Sequence, residues 1–290
     1  MLNQFYARNL VKEGIQNDIL NFVYQDSEYQ NLIFTGGTCL RKLYGLDRLS
    51  EDLDFDYASK FDIDKFAAKI KSYFVSKLQY KKVEFRISSN RQTLFITVFK
   101  KTPDFKSGDE LNADMSSSFR RGNRGLKSAE DVIKLLSENI FVRCDFSRTM
   151  SKVYGLNKGM ITAGKFRFLV NAYDLETMFA NKIVAFLRRN FYKGKFQTLP
   201  LKGRDVYDLF WFLQLSAKSG YSLRPNQKRL LALTGDDIAS LRQEIRDKIQ
   251  KVKAETVYED MLPLVESDKF LREFLKVFNT NIVKQIDMVM

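Results

Sequence analysis

The hydrophobic pattern changes period near residue 174, and that change limits the fold more than any other feature of the chain. From 174 onward apolar residues recur at three- and four-residue intervals, which predicts helices over 174–191, 204–217, 225–232, 235–252, 255–264 and 267–286. Upstream the signals are mixed. Leu2, Phe5, Tyr6 and Leu10, then Ile15, Ile19, Leu20 and Val23, have helical spacing, so one or two helices open the chain. Leu32-Ile33-Phe34 is a short apolar run that reads as a strand; Gly36-Gly37-Thr38 follows, and Leu40, Leu43 and Tyr44 resume a helical period. A helix is predicted over 62–79, with Asp62 or Asp64 as its cap, and strands over 82–88, 92–99 and 140–146. Strands mixed with helices, then helices alone, predict an α+β protein: a mixed sheet with flanking helices over 1–173, followed by a C-terminal helical bundle over 174–290.

Ser50 to Tyr57, SEDLDFDY, carries the densest chemistry. Leu53, Phe55 and Tyr57 alternate with Asp52, Asp54 and Asp56, a period of two. In a strand this sends the apolar groups to one face and the carboxylates to the other. Two such carboxylates about 6 Å apart repel by roughly 3 kcal/mol at an effective dielectric near 20. A cleft that keeps them needs a cation, and Mg²⁺ suits because it takes one or two carboxylates and leaves room for phosphate oxygens. An isolated D-x-D is more often the solvated face of an edge strand. The preceding Gly36-Gly37-Thr38 shifts the balance, since glycines at a helix start let backbone amides approach an anion.

What the chain lacks is equally restrictive. It has no histidine, which excludes imidazole bases and every zinc site that needs them. Cys39 and Cys144 are the only cysteines, too few for a zinc site by themselves and read as small buried fillers of a reducing compartment. The net charge of +13 favours a polyanionic partner over a basic one. No apolar run approaches the roughly 18 residues of a membrane span and the N-terminus lacks a signal-peptide pattern, so a cytoplasmic protein is expected.

The segment FTGGTCLRKLYGLDRLSEDLDFDY, residues 34–57, strongly resembles the opening motif of the AbiEii/AbiGii-type (MenT-like) nucleotidyltransferase toxins. In that family a GG-T or GG-S turn leads into a helix with an arginine, then R-x-S-x-D-x-D follows on the next strand. Here these are Gly36, Gly37 and Thr38, Arg41, and Arg48, Ser50, Asp52 and Asp54. The second half is similar to the family in a helix with a lysine (NKIVAFLRR, Lys182) and a later R-D-x-x-D-L helix (Arg204, Asp205, Asp208). Without the first motif, Lys182 would read as a surface lysine and Arg204–Asp208 as an intrahelical ion pair.

The resemblance implies a nucleotidyltransferase fold over 1–173 and a metal-dependent transfer of a nucleoside monophosphate from an NTP, with Mg²⁺ or Mn²⁺ held by Asp52, Asp54 and a third carboxylate. Asp145, in the apolar strand IFVRCDF, is the choice for that third ligand, with Glu84 and Asp56 as alternatives. Gly36, Gly37, Thr38, Arg41, Arg48, Ser50, Lys182, Arg204 and Asp208 are the implied nucleotide-binding residues, with Lys182 and Asp205 also placed among the catalytic ones. The family further implies a toxin of a toxin–antitoxin or phage-defence module, an RNA acceptor such as the 3′ end of a tRNA, and a cognate antitoxin. The stretch 101–127 reads as a basic loop or insertion, followed by a short helix near 128–138. Within it Arg120, Arg121, Arg124 and Lys127 are candidates for nucleic-acid contact. Rival readings are an enzyme of this fold that places a nucleotide on a protein hydroxyl, a non-catalytic nucleic-acid-binding protein of the fold, and a structural helical protein with a coincidental motif.

Overall fold

The structure, a computed structural model, describes residues 4–80, 82–99, 139–149, 151–164, 166–189, 191–193, 197–199 and 201–290. The chain divides into two compact units: Met1–Thr149 with Lys158–Ala172, and Met150–Asn157 with Tyr173–Met290.

In the first unit, helix α1 (Gln4–Gln25) leads to β1 (Ile33–Thr35), α2 (Gly36–Tyr44), β2 (Asp52–Tyr57) and α3 (Ile63–Ser72), then β3 (Lys82–Ile87), β4 (Thr93–Phe99), β5 (Ile140–Arg148), β6 (Leu156–Ala163) and β7 (Phe166–Tyr173). The opening apolar pattern is one helix, not two. The predicted helix 62–79 is α over Ile63–Ser72 and then a π turn, Tyr73–Lys77; Asp62 is its cap, accepting from the Asp64 and Lys65 amides. These seven strands form one mixed sheet in the order β3-β4-β5-β2-β1-β7-β6. β2 pairs antiparallel with β1 and parallel with β5, and β4 is antiparallel to both β3 and β5.

Strict alternation builds this sheet. Leu53, Phe55, Leu94, Ile96, Val98, Val142, Cys144 and Phe146 are buried, and the residues between them face the other way. Aromatic rings bind this face to the helices over it. Phe146 lies 5.5 Å from Phe55 and 5.0 Å from Phe66 of α3, and Phe66 in turn meets Phe22 of α1 at 5.6 Å. The sheet therefore has one sealed face and one that carries Asp52, Asp54 and Asp145.

In the second unit α4 (Leu175–Arg188) and the short β8–β9 hairpin (Phe191–Lys193 with Gln197–Leu199) precede α5 (Gly203–Lys218), α6 (Gln227–Thr234), α7 (Ile238–Gln250), α8 (Ala254–Met261) and α9 (Asp268–Val289). All six predicted helices are present. Leu271, Phe274, Phe278, Ile282 and Ile286 give α9 a buried stripe at helical spacing, and Leu241, Ile245 and Ile249 do the same for α7. Phe179 of α4 stacks on Phe212 of α5 with centroids 4.5 Å apart, and Phe274 of α9 packs against Tyr207 and Phe210. Gly203 starts α5 against the backbone of α8: a Cβ there would lie 2.7 Å from Val257 Cα.

Candidate active site

Gly36 and Asp54 meet. Gly36 opens α2 with φ +77°, and a Cβ built on it would fall 1.9 Å from Asp54 Oδ2. Gly37 is equally spoken for, since its Cβ would come within 2.8 Å of Arg48 Nη2 and 2.9 Å of Ser50 Oγ. Thr38 is buried, and its hydroxyl donates to the Asp52 carbonyl at 2.5 Å. The two halves of the motif thus interlock residue by residue: the glycine pair and threonine of α2 seat the Arg48-to-Asp54 run that enters and forms β2. Arg48 is buried and donates to the Leu49 carbonyl at 2.8 Å, and the Ser50 carbonyl accepts from Gln16 of α1 at 3.0 Å. Arg41 bonds Glu13 of α1 at 2.7 Å, and Lys42 joins the same carboxylate at 2.9 Å. Burial pushes the Glu13 carboxyl up, but Lys42 and Arg41 outweigh it and hold it below its usual value.

Across β2 and β5 the parallel register places Asp54 beside Asp145 and Asp52 beside Arg143. Arg143 Nη2 touches Asp52 Oδ2 at 3.0 Å and Asp145 Oδ2 at 2.8 Å, so one cationic nitrogen bridges two of the three acids. Asp145 Oδ1 accepts from Thr93 of β4 at 2.6 Å. Arg143 and Thr93 escaped the sequence reading, although the signal for Arg143 was present: it sits two residues from Asp145 on the same strand, hence on the same face. The alternatives for a third acid separate clearly. Asp56 continues the carboxylate face of β2 opposite Ser147, whereas Glu84 lies on the edge strand β3 and pairs with Lys82 at 3.3 Å. Cys144, between Arg143 and Asp145, points into the sealed face; burial first, and the nearby carboxylates next, raise its thiol well above the usual range, so it stays protonated. Cys39 is likewise buried and carries a thiol, not a disulfide.

Oxygen donors suit a hard cation, and the shared Arg143 nitrogen stands where positive charge is wanted. Among the described residues, no group of three or more Cys, Asp or Glu side chains has converged on a metal-holding geometry. The donor set fits such an ion in chemistry, with Arg143 as the present counter-ion.

In the second unit, α4 and α5 are tied by two ion pairs. Lys182 meets Asp208 Oδ2 at 2.7 Å, its side chain 10 % exposed and that of Asp208 fully buried. Arg189, just past the end of α4, bonds both oxygens of the fully buried Asp205 at 2.9 and 3.0 Å. Asp205 and Asp208 do share one helix face, and their partners are Lys182 within α4 and Arg189 just beyond its end. Arg204 reaches Asp260 of α8, through its amide at 2.9 Å and its guanidinium at 3.4 Å. Burial raises the Asp260 carboxyl, and Arg204 more than reverses it, leaving it below the ordinary value. Arg189 was missed by sequence reading. Arg120, Arg121, Arg124 and Lys127 lie outside the described residues, as do the predicted loop 101–127 and the predicted helix near 128–138.

No curated protein sequence matches the chain significantly. Several solved structures share the fold, among them these two. One is a Helicobacter pylori chain described as a nucleotidyltransferase, at 17 % identity and TM-score 0.50, covering 96 % of this chain and 93 % of that one. The other is MenT4, a nucleotidyltransferase toxin of Mycobacterium tuberculosis, at 14 % identity and TM-score 0.51, covering 97 % and 83 %. None of the described helices is long and apolar enough to cross a membrane. The model of the family "Nucleotidyl transferase AbiEii toxin, Type IV TA system" matches residues 21–279, and the chain therefore belongs to that nucleotidyltransferase toxin family.

Proposed function

We propose that this nucleotidyltransferase moves a nucleoside monophosphate from an NTP to a hydroxyl of an RNA acceptor, with Asp52, Asp54 and Asp145 as the acids of the reacting centre. One observation carries the reading: Asp54 and Asp145 stand side by side on adjacent strands, and Asp52 and Asp145 share one cationic nitrogen. Asp52, Asp54 and Asp145 would hold Mg²⁺ or Mn²⁺. When bound, such an ion would supply charge neutralisation for the transferring phosphoryl group and the departing pyrophosphate.

The chain's own residues do the rest. The acceptor oxygen bonds to the α-phosphorus, the bond from that phosphorus to the bridging oxygen breaks, and pyrophosphate leaves. Asp145 takes the hydroxyl proton; Thr93 and Arg143 each use one of its oxygens and fix its orientation, while lone-pair capacity remains. Gly36 gives Asp54 the space for its carboxylate, and Gly37, Thr38, Arg48 and Ser50 hold the strand entry in place. Little covalent chemistry is asked of the protein, so positioning and electrostatics are the main contributions. Lys182 is the family's nucleotide-contacting lysine by resemblance, and Asp208 fixes its ammonium. Arg41, Arg204 and Asp205 stay in the proposal as the nucleotide-side residues the motif implies. The charge of +13 supports a polyanionic acceptor, and a tRNA 3′ end is the implied one. A cognate antitoxin is the implied partner.

The test is a transfer assay with purified protein, Mg²⁺, each α-labelled NTP in turn and total cellular RNA. Wild type labels RNA; Asp54→Asn, folded by circular dichroism, does not. Label that resists ribonuclease and is lost to protease moves the acceptor to protein, and normal transfer by Asp54→Asn removes the mechanism.

A further inference from the structure

The face of the sheet that carries the three acids does not end at β5. Its register continues outward, Asp145 opposite Thr93, Arg143 opposite Phe95 and Phe141 opposite Thr97. One strand further, Phe95 stands opposite Arg86, Thr97 opposite Glu84 and Phe99 opposite Lys82. Opposed residues of antiparallel strands share a face, so Phe95, Phe99 and Phe141 lie on the outer side, with Lys82, Arg86 and Arg143. The inner side takes Leu94, Ile96, Val98, Ile140 and Val142, all fully buried.

These aromatics form an ordered column. The Arg86 guanidinium lies 4.2 Å from the Phe95 ring centre, and Phe95 and Phe141 stack with centroids 5.6 Å apart and planes 21° from parallel. Phe141 ends the column and is 41 % exposed. Lys82 covers Phe99 at 4.1 Å while pairing with Glu84 at 3.3 Å. Cross-strand pairing explains why Phe95 sits beside Arg86. It does not explain an exposed phenylalanine at the open end of the stack, on the strand that also carries Asp145.

We propose that the outer face of β3, β4 and β5, centred on Phe95 and Phe141, is a stacking platform for a single-stranded stretch of the RNA acceptor, with Arg86 holding its backbone. This rests on the reading that RNA is the acceptor. Exposed aromatic rings take bases without regard to sequence, and interleaved Arg and Lys take phosphates. Phe141 and Asp145 are four residues apart on β5, about 13 Å at strand rise. A base stacked on Phe141 therefore leaves a few nucleotides of unpaired chain to reach the acids. A duplex offers no free base faces and fits the platform poorly.

The experiment measures binding of a short fluorescein-labelled single-stranded RNA, and of its duplex, by anisotropy in EDTA, alongside transfer to RNA in Mg²⁺. Phe141→Ala weakens single-strand binding on the order of 5- to 150-fold, Phe141→Trp restores it, and Arg86→Ala lowers the log–log salt slope by about one. All three keep the wild-type unfolding midpoint within a degree or two and bind NTP as wild type does. Transfer to RNA by wild type together with unchanged binding and unchanged RNA KM in Phe141→Ala overturns the platform and leaves the proposed function standing. Absence of transfer to RNA by wild type retires the proposed function instead, and the platform is then decided by binding alone. It survives only if Phe141→Ala loses single-strand affinity, and it falls if wild type binds no RNA or prefers the duplex.

Discussion

Gly36→Ala tests whether the motif is a phosphate cradle by itself or a seat for Asp54. Two costs add at this position. The φ of +77° lies in the left-handed region, where an L side chain costs roughly 1–2 kcal/mol. The new methyl would also stand 1.9 Å from Asp54 Oδ2 and 2.7 Å from its Cγ, so the carboxylate must turn away, at a further cost of roughly 0.5–1.5 kcal/mol for an off-rotamer side chain. The sum, about 1.5–3.5 kcal/mol, lowers the thermal midpoint by roughly 3–14 °C for a unit of this size. Transfer suffers more, because misplacing a reacting group by about 1 Å costs on the order of 100-fold. Urea unfolding and the labelled-NTP transfer assay on the same preparation measure both. Gly36→Asn sharpens the result: Asn tolerates positive φ but still carries a Cβ, so it recovers stability in part and leaves transfer lost. A Gly36→Ala protein with wild-type transfer would refute the seating argument, whatever its stability.

Three further outcomes are expected. Lys182→Met or Asp208→Leu alone destabilises the protein by about 3–5 kcal/mol in urea unfolding, because each strands a buried charge, while the double variant regains most of that loss and still transfers no nucleotide. Gly203→Ala has no dihedral penalty but drives a methyl into the Val257 backbone, so calorimetry should find the protein less stable by about 1–3 kcal/mol. Glu13 has a depressed folded pKa, so the stability it contributes is complete above its ordinary value of 4.5 and is lost as pH falls through the lower folded value; a Glu13→Gln protein, less stable at neutral pH, shows a shallower loss across that acid window in stability-versus-pH titration.

The elements that sequence reading located are those in which one period runs unbroken against one buried face. The helices after residue 174 and the strands carrying DLDFDY and TLFITVF are of this kind. β6 and β7 went unseen for a physical reason. In β7, Phe168, Val170 and Ala172 are buried at every second position, but Leu169 between them is 62 % exposed, and that apolar residue on the outer face erases the alternation. In β6 only Ile161 is buried, as befits a strand at the sheet edge. The carboxylates themselves were legible as types at a spacing. Their partners were not, because a buried acid is compensated by whichever cation the tertiary fold brings near. Asp52 and Asp145 share Arg143 from the neighbouring position on β5, Asp208 takes Lys182 and Asp205 takes Arg189 across a helix pair, and Arg204 reaches Asp260 of α8. Apart from Arg143 with Asp145, two residues apart on one strand, each of these pairings depends on a register between elements, which no single-chain periodicity encodes. The consequence for the site is direct. Asp52 and Asp145 do not face solvent as bare anions waiting for a metal; they are held together by an arginine of the same sheet, and any cation that serves the reaction must compete with it.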